Sequence, residues 1–361
     1  MAFLKLGFKP DPEKYVLCEY YVEAPDLRKA GEELGAESSI GTWTKIGTMK
    51  HGILERLGAR VYSINGNIIK IAYPVELFED NNMPQFLSDV AGNIFGMKGI
   101  KNLRFLDFQL PRKYTNTYPG PSFGRGGVRK RLGTLRSRRP HIGTIVKPKV
   151  GLNPKETAKV AYEAWAGGID FVKDDENLTS QRFCPFKKRF DLVFDAKDRA
   201  EKETGEKKMY APNITASAEV MLERAEYVKE RGSDCIMIDI ITAGFSGLQY
   251  ISFTHHNRLF KNIFKFPHIP GSINSEYGKH KPLFSVCSGG LAPANVPDLM
   301  RIFGNDIVIQ AGGGVHGHPD GTRSGATALR QAVDASIKGI PLKTYARTHR
   351  ELARSPEKWR L

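Results

Sequence analysis

The chain is poor in several features that would otherwise place it. Only four of its 361 residues are cysteine, Cys18, Cys184, Cys235 and Cys287, and they lie far apart with no C-x-x-C pair. That argues against a disulfide framework or a thiolate zinc site and fits a reducing compartment. No stretch approaches the ~20 apolar residues of a membrane helix. The opening MAFLKLGFKPDPEKYVLCEYYVEA carries a charge every few positions and lacks the apolar core of a signal peptide. A cytoplasmic protein without membrane contact is the expectation. Acidic residues are also in deficit: 39 Asp and Glu against 54 Lys and Arg leave a formal charge of +15.

Part of that charge is concentrated in RGGVRKRLGTLRSRRP (125–140) and in the tail YARTHRELARSPEKWRL (345–361). Neither run interleaves aromatics as a base-stacking platform would, which argues against specific nucleic-acid binding. The alternative is a basic linker and tail that aid capture of a small anionic substrate. Hydrophobic residues make up 40% of the chain, enough for a sizeable core, and the length suggests about two domains.

The organisation changes near residue 120. Before it, strand-like runs (YVLCEYYVEA, ARVYSINGNIIKIAYPVELF, NLRFLDFQL) alternate with helical segments (DLRKAGEELGAE, MPQFLSDVAGNIFGM). This order predicts an N-terminal α+β domain of the ferredoxin-like kind over 1–120. Pro and Gly punctuate YPGPSFGRGG (118–127), so 121–140 is expected to be a basic linker. From 141 onward, strands HIGTIVKPK, IDFVKDD, MYAPNIT, CIMIDII (235–241), PLFSVCSGG and DIVIQAGGG alternate with amphipathic helices. Apolar strands rich in Ile and Val, alternating with helices, predict α/β architecture with a buried parallel sheet.

The polar residues fall at the strand ends. Lys147 and Lys149 close the first, Lys173 to Glu176 the second, Asn213 the third, Ser288-Gly289-Gly290 and Gly312-Gly313-Gly314 the last two, while Asp239 lies inside the fourth. In a (β/α)₈ TIM-type barrel those ends share one rim, where such folds place chemistry. The cluster Lys173-Asp174-Asp175-Glu176 admits three readings: a solvated acidic turn, a structural ion-pair cluster, or a site for a hard metal ion. Asp175 and Glu176 are hard oxygen donors suited to Mg²⁺. An ammonium at Lys173 would be repelled by that ion. A carbamate formed from its amine and CO₂ would instead supply a third oxygen ligand. The glycine-bearing ends, with Lys147 and Lys149, suit a doubly phosphorylated ligand, against the alternative of ordinary turn glycines. His316 and His318, in GVHGHPDG, are expected to pack the loop rather than to bind metal.

GTIVKPKVGL, GGIDFVKDDENLTSQ and VIQAGGGVHGHPDG resemble the large-subunit motifs of ribulose-1,5-bisphosphate carboxylase/oxygenase (RuBisCO). AESSIGTWTKI (36–46) and NNMPQFLSDVAGNIFGMKGIKNLRFLDFQLP (81–111) are similar to its N-terminal domain, and the wording is closest to archaeal form III enzymes, especially those of methanogens. The resemblance implies Lys173 as the lysine carbamylated by CO₂, with Asp175 and Glu176 completing a Mg²⁺ site. It implies Lys147 as a base or proton shuttle at the sugar's C3, and Lys149 as a substrate contact. Ser288, Gly289, Gly290, Gly312 and Gly313 would hold substrate hydroxyl and phosphate. Glu37, Thr42, Trp43 and Asn93 would reach into the barrel of a second subunit, which implies a homodimer or an assembly of dimers. The substrate would be ribulose 1,5-bisphosphate or a similar sugar phosphate, and the products two 3-phosphoglycerates, in nucleotide salvage or a related route. For Glu37 and Thr42 a helix-end capping role is the alternative, for Trp43 a place in the core, and for the two lysines simple ion pairing.

Between CIMIDII and PLFSVCSGG only residues 242–281 remain for two strand–helix units, roughly half the length these need. The expected fold is therefore a (β/α)₈ barrel, 141–361, that lacks about two βα units. The family's fifth strand ends in H-x-H-R-x-x-H and its sixth precedes a mobile loop bearing a lysine; neither motif is present, and THHNR (254–258) has the wrong spacing. NIFKFPHI (262–269) could form one strand at most. Besides the carboxylase, two readings stay open: a RuBisCO-like enolase or isomerase of a sugar phosphate, and a catalytically impaired, internally deleted relative that only binds or assembles.

Overall fold

In the computed structural model, which describes residues 2–41, 48, 52–233, 235–254 and 280–355, the alternating YVLCEYYVE forms β1 (Tyr15–Glu23) and buries every second side chain. One unit of the chain ends at Pro119 and a second begins at Gly120. In the first, Asp26 caps α1 (Leu27–Glu37) by accepting from the backbone N–H groups of Arg28 and Lys29. There follow α2 (Ile53–Leu57), β2 (Arg60–Asn65), β3 (Ile68–Pro74), α3 (Met83–Ala91), β4 (Asn102–Gln109) and a one-turn α4 (Arg112–Thr115). The strands form an antiparallel sheet in the order β2-β3-β1-β4, which is the ferredoxin-like order. Val16, Tyr20, Leu34, Ile69 and Phe86 are its core.

The second unit opens with a correction. The segment 121–140, expected to be a linker, carries helix α5 (Gly124–Arg131). Val128 and Leu132, one turn apart, pack with Phe171, Met209, Phe284 and Val308. Arg125, Arg129 and Arg138 converge on Asp306 at 3.0, 2.7 and 3.4 Å, and Arg139 forks onto Asp170 at 2.6 and 2.5 Å. Much of the basic run is thus structural.

Strands β5 (His141–Ile145), β6 (Phe171–Lys173), β7 (Met209–Ala211), β8 (Ser285–Ser288) and β9 (Ile307–Gln310) form a parallel sheet in the order β7-β6-β5-β9-β8. Pairing of the first strand, β5, with the last, β9, is the seam by which a (β/α) barrel closes. A capping box of Asn153 and Glu156, with Pro154 at the first turn, starts α6 (Pro154–Ala166). With α7 (Phe186–Thr204) and α8 (Ala218–Glu230) it covers the outer face over Trp165, Phe190 and Val193. Phe171, Met209 and Val308 lie on the other, inner face.

The fourth strand differs from expectation. Of 235–241 only Met237 pairs, in a parallel bridge to Asn213, and α9 (Ile240–Thr254) begins at Ile240. Asp239 ends the strand because its carboxylate accepts from Ile241 N at 3.2 Å and Thr242 Oγ1 at 2.7 Å, in the manner of a cap. Among the described residues the sheet's two edges are therefore this segment and β8. Residues 255–279, which include NIFKFPHI and nearly all of THHNR, lie outside the described residues. Beyond β8 come α10 (Val296–Phe303), a one-turn α11 (Gly313–His316) after β9, and α12 (Gly321–Ile337).

Candidate active site

Strand pleating sorts the charges that end β6. Phe171 belongs to the inner cluster and Val172 to the helix-side core. Continuing that alternation puts Lys173 and Asp175 on the inner side and Asp174, between them, toward the helices. The contacts agree. Asp174 is 0% exposed and accepts from Arg189 Nε at 3.2 Å, Tyr210 Oη at 2.8 Å and Asn213 N at 2.9 Å. Arg189, on α7, also donates to the carbonyls of Cys184 at 3.0 Å and Thr179 at 2.8 Å. One of the three carboxylates is therefore structural, an anchor between β6, β7 and α7.

The other two face cations. Lys173 Nζ lies 2.8 Å from Glu176 Oε1, 3.0 Å from the Asp174 carbonyl and 3.3 Å from Met237 Sδ. Lys147 Nζ, beyond the end of β5, lies 2.8 Å from Asp175 Oδ2. From the end of β7, Asn213 Nδ2 donates to the carbonyls of Glu176 at 3.0 Å and Asp175 at 3.3 Å. Lys149 is exposed and its Nζ lies 3.1 Å from Asn177 Oδ1. Burial pushes the Asp175 and Glu176 carboxyls up, but the neighbouring lysines, Lys147 foremost for Asp175 and Lys173 for Glu176, together with backbone N–H donors hold both below the usual carboxylate range.

The glycine ends join the same rim. A Cβ at Gly312 would stand 3.3 Å from Lys147 Cε, so glycine lets the lysine stem pass close to β9. Gly289 and Gly290 adopt φ of +98° and +63°, the left-handed region that glycine tolerates. They follow Ser288, which is in register with Gln310. Gln310 is a residue the sequence reading passed over: it is 3% exposed, and its Nε2 has no hydrogen-bond partner among the described residues. Its inward position could have been inferred from alternation with Val308. His316 packs the loop as expected, its Nε2 2.9 Å from the Ile145 carbonyl and its Nδ1 3.0 Å from Thr322 Oγ1. His318 Nε2 reaches the Glu351 carbonyl at 2.9 Å.

The N-terminal residues belong to the first unit. Glu37 is the last residue of α1 and half-buried; Asn93 opens a short 3₁₀ turn and is exposed. Thr42 and Trp43 lie outside the described residues.

Charge tests whether a divalent cation fits. Lys147 and Lys173 neutralise Asp175 and Glu176 pairwise, while Asp174 is matched by Arg189. Turning the Lys173 ammonium into a carbamate changes its charge by two units and leaves two unmatched negatives. One divalent ion on the carbamate, Asp175 and Glu176 restores neutrality, and oxygen-only donors suit Mg²⁺.

Comparison with known proteins agrees over the whole chain. The family profile for the ribulose bisphosphate carboxylase large chain, N-terminal domain, matches residues 2–114, and that for its catalytic domain matches 127–270 and 268–359. The chain is a RuBisCO large-chain family member. It is 41% identical to the ribulose bisphosphate carboxylase of Methanocaldococcus jannaschii, covering 100% of both chains, and 38% identical to that of Methanosarcina mazei, covering 99% of this chain and 98% of the relative. The octameric Rubisco of Pyrococcus horikoshii, solved as a sulfate complex, superposes with a TM-score of 0.87 at 38% identity, over 98% of this chain and 95% of that one. The dimeric archaeal Rubisco of Hyperthermus butylicus gives 0.85 at 38% identity, over 99% and 98%. The alignment to the Methanocaldococcus protein runs over 428 positions against the 361 residues of this RuBisCO relative, 67 more.

Proposed function

We propose that this protein is a Mg²⁺-dependent ribulose 1,5-bisphosphate carboxylase of the archaeal type, acting as a dimer or an assembly of dimers. The observation that carries this is the rim itself: Lys147, Lys173, Asp175 and Glu176 lie within two ion pairs of 2.8 Å, in a chain that matches carboxylases from end to end. Lys173, as carbamate, with Asp175 and Glu176 would hold the metal. Mg²⁺ bound there would polarise the substrate carbonyl and stabilise developing enediolate charge.

The chain's own residues then have defined work. Asp174, clamped by Arg189 and Tyr210, fixes the backbone that aims Lys173 and Asp175 inward. Lys147, the cation on Asp175 here, would be released if that carboxylate ligated the ion, and in its neutral form would accept the proton from C3 of the sugar, becoming the ammonium that can return it. Lys149, with the glycine ends at 289–290 and 312–313, receives the phosphates and hydroxyls. Glu37, Thr42, Trp43 and Asn93 would complete the pocket of a partner subunit; the assembly, not the role of these residues, is supported by the dimeric and octameric relatives.

Bicarbonate labelled with ¹³C tests this reading without turnover. A carbamate resonance that strengthens with Mg²⁺ and vanishes in Lys173→Ala is expected. The same resonance in both proteins would remove Lys173 from the site.

A second reading, a sugar-phosphate enolase or isomerase, is favoured by the missing H-x-H-R-x-x-H motif and lid lysine. The two-piece catalytic-domain match and the 67-position excess of the alignment support the absence of about two βα units from this barrel. Product identity separates the readings: two 3-phosphoglycerates, or a rearranged bisphosphate.

A further inference from the structure

One set of buried polar groups in the first unit takes no part in the rim chemistry. Tyr20 on β1 and Tyr73 on β3 both belong to the core of that unit, and both are 0% exposed. Buried hydroxyls need partners. Here the two Oη atoms lie 3.0 Å apart. Tyr73 Oη also lies 2.8 Å from Ser38 Oγ, on a residue 2% exposed.

The outer members of this hydroxyl chain hold helix ends. Ser38 donates to the Leu34 carbonyl at 2.5 Å, in the last turn of α1. Tyr20 donates to the Val90 carbonyl at 2.8 Å, in the last turn of α3. The Val90 carbonyl is one of those that a helix end leaves without an internal partner. Ser38 and Tyr20 spend their protons on these carbonyls, so the single Tyr73 proton is the one that joins the two ends. Burial holds both phenols above the ordinary tyrosine range, which keeps them donors.

Each end leads directly to a residue assigned above to the partner's pocket. Glu37 immediately precedes Ser38, and Asn93 follows Val90 after a tight turn at Gly92. A Cβ at Gly92 would stand 2.1 Å from the Ser88 carbonyl oxygen, so the turn is short and stiff. We infer that Tyr73, acting through Ser38 and Tyr20, is a positioning residue that fixes Glu37 and Asn93 in one geometry for the partner's site. Two groups aimed at one substrate act together only when their separation is set in advance. The catalytic half of this inference rests on the carboxylase reading; the tie between the helix ends rests on the hydrogen bonds alone.

Tyr73→Phe removes only the joining hydroxyl. Ser38 and Tyr20 keep their carbonyls, so no buried donor is orphaned and the variant should fold. Amide hydrogen exchange of the full-length protein reads the tie in the peptides 34–41 and 90–97. Both should exchange about fivefold faster in the variant, the worth of one net hydrogen bond. For carboxylation of ribulose 1,5-bisphosphate, kcat and kcat/KM should fall together, about tenfold, with KM within about twofold of the parent. Tyr114→Phe is the control. Its hydroxyl is bonded to the Glu79 carbonyl at 3.2 Å and to Tyr118 Oη at 3.1 Å, so both peptides and kcat should match the parent. Exchange that is unchanged, or faster at one end alone, would overturn the tie. Faster exchange at both ends with kcat unaltered, or an equal loss of kcat in Tyr114→Phe, would overturn the positioning role. A parent that forms no 3-phosphoglycerate sinks the carboxylase reading and the catalytic half with it, while exchange still decides the tie.

Discussion

Replacing Arg189 by methionine leaves the Asp174 carboxylate buried without its counter-ion. Both side chains are 0% exposed, with nitrogen and oxygen 3.1 Å apart, and removing one member of such a pair costs about 3–5 kcal/mol. The carbonyls of Cys184 and Thr179 each lose a charged donor as well, about 1 kcal/mol apiece. The expected loss is about 5–7 kcal/mol. For a unit of this size, that lowers the midpoint of thermal unfolding by ~10–30 °C. Heat and urea unfolding measure it. Asp174→Asn in the same background removes the orphaned charge while keeping an oxygen for Tyr210 and Asn213, and should restore at least ~1.5 kcal/mol. A single-variant loss below ~1 kcal/mol, or no recovery in the double variant, would refute the idea that this pair anchors the end of β6.

Two further outcomes follow from the geometry. Burial pushes the imidazoles of His141 and His316 down to about 4, against an ordinary value near 6.5. Their contribution to stability is full above pH ~6.5 and is lost as pH falls towards 4, because the unfolded chain takes up the protons first. At pH 4 that amounts to about 3 kcal/mol per histidine. Unfolding of His141→Leu between pH 4 and 7 should show a visibly shallower slope than the parent, and an identical slope would count against the burial argument. Gly312→Ala places a Cβ 3.3 Å from Lys147 Cε at a φ of −90° that alanine accepts. It should displace the lysine by a few tenths of an ångström, lowering kcat about tenfold with little change in melting temperature; an unaltered kcat would separate Lys147 from the chemistry.

Much of this architecture was legible in the sequence. The ferredoxin-like order of the first unit and the βα rhythm of the second come directly from periodicity and from Ile/Val-rich runs. The rim was legible because polar residues sit where apolar strands stop. Helix α5 was not, since GRGGVRKR carries two internal glycines and four cations; its apolar signal is only Val128 and Leu132, one turn apart. The fourth strand was over-read because Ile240 and Ile241 extend an apolar run that Asp239 in fact converts into a helix start. Asp174 and Asp175 are identical in type. What separates them is the pleat of β6 and an arginine 15 residues away on α7, a partner that three-dimensional packing supplies.

The central claim is that the Lys173 cluster activates a carboxylase. Its most direct test is anaerobic incorporation of labelled bicarbonate into acid-stable product, with ribulose 1,5-bisphosphate and Mg²⁺, in the parent protein and in Lys173→Ala. Label recovered in 3-phosphoglycerate from the parent alone is the predicted result. Folded, dimeric parent protein that incorporates none would contradict it.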